Sequence, residues 1–292
     1  MTSSGTDTRD WPLAAAFLAP SALLFGVFVF YPLVRTVQLG LTISDPFGNT
    51  RYVGPSRYVD LLGSDRFLGD LGVTLRFVLL SVPLGLVLGL GLALLAHQRL
   101  AGIRVFRTIF SSTVATSVAV ASLVWVTLLN PQIGLVNGLL ADLGRPRIAF
   151  FQSPSWALPS VALATVWQNL GFTFIVLSAG LQTVPDELTE SARIDGAGGW
   201  RRLRHVTLPL LSPTLLFTAV VLTINAFQTF GQIDLLTQGG PGDHTRVVVY
   251  SIFTEASRDP STAAVYAVAL FAILLVLTLL QLRALERRVF YG

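Results

Sequence analysis

The 292-residue chain contains no cysteine, which excludes disulfides, thiolate metal sites, iron–sulfur clusters and cysteine nucleophiles. It also lacks lysine, so all 20 of its basic side chains are arginine. A phosphate-binding P-loop needs a lysine to reach the nucleotide, and this chain cannot form one. Only 12% of the residues are charged, against roughly 25% in an ordinary globular domain. Its three histidines, His97, His205 and His244, are scattered without ligand spacing, and no metal site is expected. No Ser/His/Asp set, paired carboxylates or glycine-rich phosphate loop is expected near an apolar pocket either, which argues against an enzyme.

What remains is apolar. Hydrophobic residues make up 52% of the chain, and its mean hydropathy is +0.67. A hydrocarbon core about 30 Å thick takes about 20 apolar residues per helix. Six stretches satisfy this, at about 13–34, 71–96, 108–129, 157–181, 211–236 and 263–283. The expected fold is an all-α integral membrane protein, a single transmembrane domain over 1–292 with six transmembrane helices and membrane lipid as its solvent. The first apolar run is too long for a signal peptide, and no small-residue cleavage site follows Tyr31, so it is expected to be retained. Trp11, Tyr31, Trp156 and Tyr266 fall near span ends, where amphipathic rings favour the headgroup zone. The net charge of +4 and pI near 9.9 fit basic cytoplasmic loops without invoking nucleic acid.

Arginine placement sets the expected orientation. The 97–107 loop has three arginines (Arg99, Arg104, Arg107) and no acid, whereas 37–70 interleaves arginine with aspartate. Both termini are therefore expected in the cytoplasm. Residues 37–70, 130–156 and 237–262 become external loops, with Asn130-Pro131, Arg145-Pro146 and Gln238-Gly239-Gly240-Pro241-Gly242 as turn signals.

Residues 184–207 form the cytoplasmic loop with the most local structure. Thr183 with Asp186 fits a helix-start pattern, and Pro185 is tolerated in a first turn. Leu188 and Ala192 lie four apart on one face, and Gly196 can close the helix in a left-handed conformation. A second short turn carrying Trp200 and Leu203 precedes Leu208-Pro209, where the chain re-enters the membrane. Periodicity alone leaves two readings open, a docking knob or a solvated juxtamembrane helix.

Glu190-Ser191-Ala192, Gly196 three residues after Arg193-Ile194-Asp195 begins, and Leu208-Pro209 resemble the coupling loop of permease subunits in ATP-binding-cassette (ABC) importers. Ala192 to Ala197 with Trp200 looks like the carbohydrate branch of that family, which handles sugars and glycerol 3-phosphate. Trp125, Asn130-Pro131, Gly134 to Asn137, Leu181 to Pro185 and Leu236 to Gly242 extend the similarity across most of 100–290. Ser191 departs from the usual alanine but is also small. The resemblance implies a bacterial or archaeal inner-membrane location, a second homologous permease, two ATPase subunits and an extracytoplasmic substrate-binding protein. ATP and magnesium would sit on the ATPase, leaving this chain without a cofactor. It also implies that Glu190, Ser191, Ala192, Asp195 and Gly196 couple to the ATPase.

Polar residues inside spans mark a second candidate site. Asn225, Gln228, Thr229 and Gln232 follow i, i+3, i+4, i+7 spacing, which puts them on one helical face, and Gln168, Asn169 and Phe172 cluster in the fourth span. Amides beside an aromatic ring suit a sugar or polyol, whereas interhelical hydrogen bonding is the plainer alternative. Arg35 and Arg76 are expected at span ends, which mildly favours a neutral sugar and leaves glycerol 3-phosphate open. Gly85 and Gly89 fit close helix packing. The alternative function is a stand-alone secondary transporter of a small polar solute. Its proton or ion relay is missing, since the span centres hold no acid, arginine or histidine.

Overall fold

The computed structural model describes residues 11–44, 50–98 and 102–286. Arg99, used above for orientation, lies outside the described residues. The chain begins with α1 (Trp11–Phe25), a π-turn and α2 (Tyr31–Gly40), followed by a hairpin of β1 (Thr42–Ser44) and β2 (Thr50–Tyr52) and by α3 (Ser56–Leu62). The hairpin pairs Thr42 with Tyr52 and Ile43 with Arg51. Next come α4 (Asp65–His97), α5 (Ile103–Ser112), a 3₁₀ turn, α6 (Val118–Leu128), α7 (Leu135–Asp142) and α8 (Ala157–Gln182). Then follow α9 (Asp186–Ile194), α10 (Gly199–Arg202), a π-turn, α11 (Leu208–Phe227), α12 (Gly231–Leu236), α13 (Val248–Ala256) and α14 (Pro260–Glu286). Among the described residues, five helices are long and apolar enough to cross a membrane. The bent pair Ile103–Ala115 and Val118–Leu128 makes a sixth if it counts as one span.

Several boundaries differ from the sequence expectation, each for a local reason. The first apolar helix continues to Gly40, because Pro32 enters at the start of α2, where its missing N–H costs little. Tyr31 consequently lies inside the helical run and not at its end. Helix α4 starts at Asp65, six residues early, because the Ser64 side chain caps it by accepting from the Phe67 amide at 3.3 Å. The third span is no single rod, since its two halves meet at 110°. The fifth ends at Phe227, with α12 a separate short helix. Tyr266 is buried against Phe67, ring centroids 5.0 Å apart, and is not an interfacial ring.

Helices α4 and α8 pack along each other at the heart of the bundle. A Cβ added at Gly89 would collide with the Thr173 side chain, so the small residue sets how closely the two helices approach. Around them lie three apolar clusters, one of which joins Phe77 to Val161, Ala226 and Ile233 from α4, α8, α11 and α12.

The three expected external loops carry structure of their own. Buried Asn137 on α7 donates to the carbonyls of Asn130 (3.1 Å) and Ile148 (3.0 Å) and accepts from the Ile148 amide (2.7 Å). One amide thus ties the segment around α7 together. Helix α13 inserts beside α4, where Arg246 pairs with buried Asp70 at 2.9 Å and the Ser251 hydroxyl donates to the same carboxylate at 2.6 Å. The Val248 amide donates to Thr74 Oγ1 at 2.9 Å.

Arg57 of α3 donates to Asp259, at the foot of α14, at 2.9 Å. Burial pushes the Asp259 carboxyl up, but bonds from Thr262 and the charge of Arg57 outweigh it and hold the group below its ordinary 3.8. A depressed folded pKa adds stability above the unfolded value, which is lost as pH falls through the folded one. Thermal melting between pH 6 and 3 is expected to show this loss in the native chain and not in Asp259→Asn.

Candidate coupling surface and polar seam

The knob is built from α9 and the turn that ends it. Asp186 and Glu187 in the first turn and Arg193 in the last complement the helix dipole. Thr183 does not cap this helix. Its hydroxyl donates back to the Gly180 carbonyl at 2.8 Å and closes α8, while Pro185 occupies the N-cap position of α9. At the far end the Ala197 amide bonds the Ala192 carbonyl at 2.9 Å, and the Gly196 amide bonds the Arg193 carbonyl at 3.1 Å. With Gly196 at φ +77°, these bonds form a Schellman cap. Gly198 then starts α10, which runs through the π-turn into α11. The expected second short turn is therefore the first part of a continuous helix from Gly199 to Phe227, a stiff connection from knob to membrane.

Glu190, Ser191, Asp195 and Gly196 are exposed and Ala192 is half-buried, so the five expected coupling residues share one projection. Ile194 (86% exposed) and Trp200 (73%) add exposed apolar surface to it. Gly196→Ala would force an L side chain into the left-handed region, at about 1–2 kcal/mol. Hydrogen exchange of the Ala197 amide is expected to quicken about tenfold in this variant, and less in Gly196→Asn.

The polar stripe divides where the helix breaks. Asn225 and Gln228 are exposed, whereas Thr229 and Gln232 are buried past the end of α11. The Thr229 hydroxyl donates to the Asn225 carbonyl at 2.9 Å. Asn169 donates to the Thr165 carbonyl at 2.9 Å and faces a space between α4, α8 and α11, with Ser81 and Leu222. Phe172 is half-buried on α8. Two members do meet, since the Gln232 amide donates to Gln168 Oε1. Gln168 in turn donates to the Thr116 carbonyl at 3.3 Å, at the bend between the 3₁₀ turn and α6. An added Cβ at Gly171 would lie 2.7 Å from the Val114 amide nitrogen, so α8 backs directly onto that bend. One glutamine pair thus joins two helix breaks, 116–117 and 228–230.

Features that sequence reading passed over complete the site. Trp125 and Trp167 meet edge to face at 6.3 Å, close to this seam in sequence. Arg76 lies about three turns inside α4, a 33-residue helix longer than a hydrocarbon core requires, just before its uninterrupted apolar run. It lines a recess of about 420 Å³ with Arg66, Asp70, Asp243, His244 and Arg246. Arg246 is engaged by Asp70 and Asp243, and Arg66 by Glu255, whereas Arg76 makes no ion pair among the described residues. The signal for this recess was the spacing Gly69, Gly72, Arg76, which leaves a groove beside the cation.

A broken helical bundle with a Schellman-capped projection can be compared with known proteins. The profile of one family, described as the binding-protein-dependent transport system inner membrane component, matches residues 81–291. The chain belongs to this family. Among curated relatives, the sn-glycerol-3-phosphate transport system permease protein UgpA of Yersinia enterocolitica is 36% identical over 276 residues, covering 93% of each chain. That of Escherichia coli O157:H7 is 32% identical over 295 residues, covering 100% of each. A solved bacterial ABC transporter involved in import of the acidic polysaccharide alginate superposes with a TM-score of 0.82 at 26% identity, covering 96% of each chain. This inner-membrane permease is therefore a transport subunit of an ABC importer, and not an enzyme.

Proposed function

We propose that this permease pairs with a second homologous permease and two ATPase subunits, and receives its substrate from an extracytoplasmic binding protein. Both termini and α9 face the cytoplasm. The ATPase holds ATP and magnesium, docks on Glu190, Ser191, Ala192, Asp195 and Gly196, and moves the stiff Gly199–Phe227 helix when it closes. Coupling is energetic only because the two ATPase states bind the knob differently. The observation that carries this reading is the exposed, rigidly capped α9 on a chain of this family.

The substrate class is a sugar or polyol phosphate, with glycerol 3-phosphate first. The relatives named for sn-glycerol 3-phosphate and the neighbour named for an acidic polysaccharide support an anionic, hydroxyl-rich solute. Arg76, without an ion pair among the described residues, offers a charge, and exposed Asn225 and Gln228 offer amides for hydroxyls. The test is uptake of labelled glycerol 3-phosphate into proteoliposomes holding the whole complex, its binding protein and internal ATP. Saturable uptake, competed by glycerol 3-phosphate and not by neutral sugars, is expected. Uptake of a neutral sugar that glycerol 3-phosphate does not compete would overturn the substrate class.

A further inference from the structure

At the end of the bundle that carries α9, a groove of about 280 Å³ opens between α4, α5 and α8. Its lining changes steadily along the helix axes. Phe174, Ile175 and Ala93 form an apolar floor, Ser178 and Ser111 stand about one turn nearer the bundle end, and Gln182, Arg107 and His97 form the rim. From Phe174 to Gln182 the rise is about 12 Å, enough to span the headgroup zone of one leaflet, about 5–8 Å deep, and the first acyl carbons beneath it. Among the described residues, no acid lines the groove.

Two details point to a ligand. Arg107 uses Nη2 to bond the Ala96 carbonyl at 2.7 Å, which caps the end of α4 and pins the guanidinium at the rim. A fork fixed by one bond retains other N–H groups for an anion. Deeper in the groove, the Ser178 hydroxyl is shielded from solvent and has no hydrogen-bond partner among the described residues. A buried hydroxyl without a partner is costly and calls for one.

We propose that this groove binds the phosphate-bearing headgroup of an anionic phospholipid. Arg107 takes the phosphate, with His97 and Gln182 beside it. Ser178 donates to an ester oxygen, and an acyl chain leaves along exposed Ile175. Charge complementarity and the apolar-to-polar gradient select a lipid over a soluble anion, because a free phosphate leaves the Phe174–Ile175 floor uncovered. Basic pockets between helices at the membrane surface are suited to such headgroups.

The experiment is native mass spectrometry of the whole importer complex, purified from nanodiscs of mixed phosphatidylcholine and phosphatidylglycerol, without substrate or ATP. Its outcome is thus independent of what the importer transports. The complex is expected to retain phosphatidylglycerol over phosphatidylcholine. Arg107→Gln should lower that retention about fivefold. Because Arg107 also caps α4, a second variant, Ala179→Trp, fills the groove with the arginine in place and should lose the same lipid. Equal retention in wild type and Ala179→Trp, or no preference for the anionic lipid, overturns the proposal. Displacement by millimolar inorganic phosphate also overturns it, in favour of a soluble-anion site.

Discussion

Glu190→Ala is expected to leave the subunit folded and to reduce both uptake and substrate-stimulated ATP hydrolysis by ten-fold or more, an effect on the order of 1.5–3 kcal/mol. The side chain is exposed on α9 and belongs neither to the Schellman cap nor to an ion pair among the described residues. Removing it alone should shift stability by about 0.5 kcal/mol or less. What the substitution removes is a charge-assisted bond across the docking surface, where Ile194 and Trp200 supply the apolar contact. Glu190→Gln, which keeps the shape and one acceptor, should fall between the two. Unchanged uptake in Glu190→Ala would remove the knob from the mechanism.

Asp70→Leu carries the largest expected loss of stability. Its carboxylate is 3% exposed and holds both Arg246, itself 19% exposed, and the Ser251 hydroxyl, fully buried. Deleting one partner of a buried pair strands the other, at about 3–5 kcal/mol. Asp243 still reaches Arg246 at 2.6 Å but is 66% exposed, so it offsets little of that cost. A fall in melting temperature on the order of 10 °C is expected for the detergent-solubilised complex. Asp70→Leu combined with Arg246→Met should recover most of it, because an apolar pair strands no charge. A single variant that melts within about 2 °C of wild type would contradict the clamp.

The apolar runs were readable because a helix in lipid must be apolar over its whole length, and the fourth and sixth spans fall almost where the runs do. The breaks were hidden for the opposite reason. Residues 113–120 contain neither glycine nor proline, yet the helix turns there by 110°. Ser117 supplies a local start signal, capping α6 by accepting from the Val120 amide at 3.3 Å, and the turn is held from outside by Gly171 backing onto Val114 and by Gln168 taking the freed Thr116 carbonyl. Pro20, Pro83 and Pro213 meanwhile lie inside unbroken helices. Local punctuation misleads where neighbouring helices satisfy the backbone. The polar stripe suffered from the same blindness, since i, i+3, i+4, i+7 spacing defines a face only while the helix continues past Gln228.

Gly196 was legible because its positive φ is a local necessity, whereas Thr183 was a decoy that belongs to the preceding helix. The Asp70–Arg246 pair spans 176 residues and no local pattern announces it.

The central claim is that ATP hydrolysis on a docked partner, and not an ion gradient, drives transport through this permease. Uptake into proteoliposomes holding the full complex and its binding protein tests it directly, with ATP trapped inside or replaced by an imposed proton gradient. Uptake with ATP and none with the gradient is the predicted result. Gradient-driven uptake by this chain alone, without ATP or the binding protein, would contradict it.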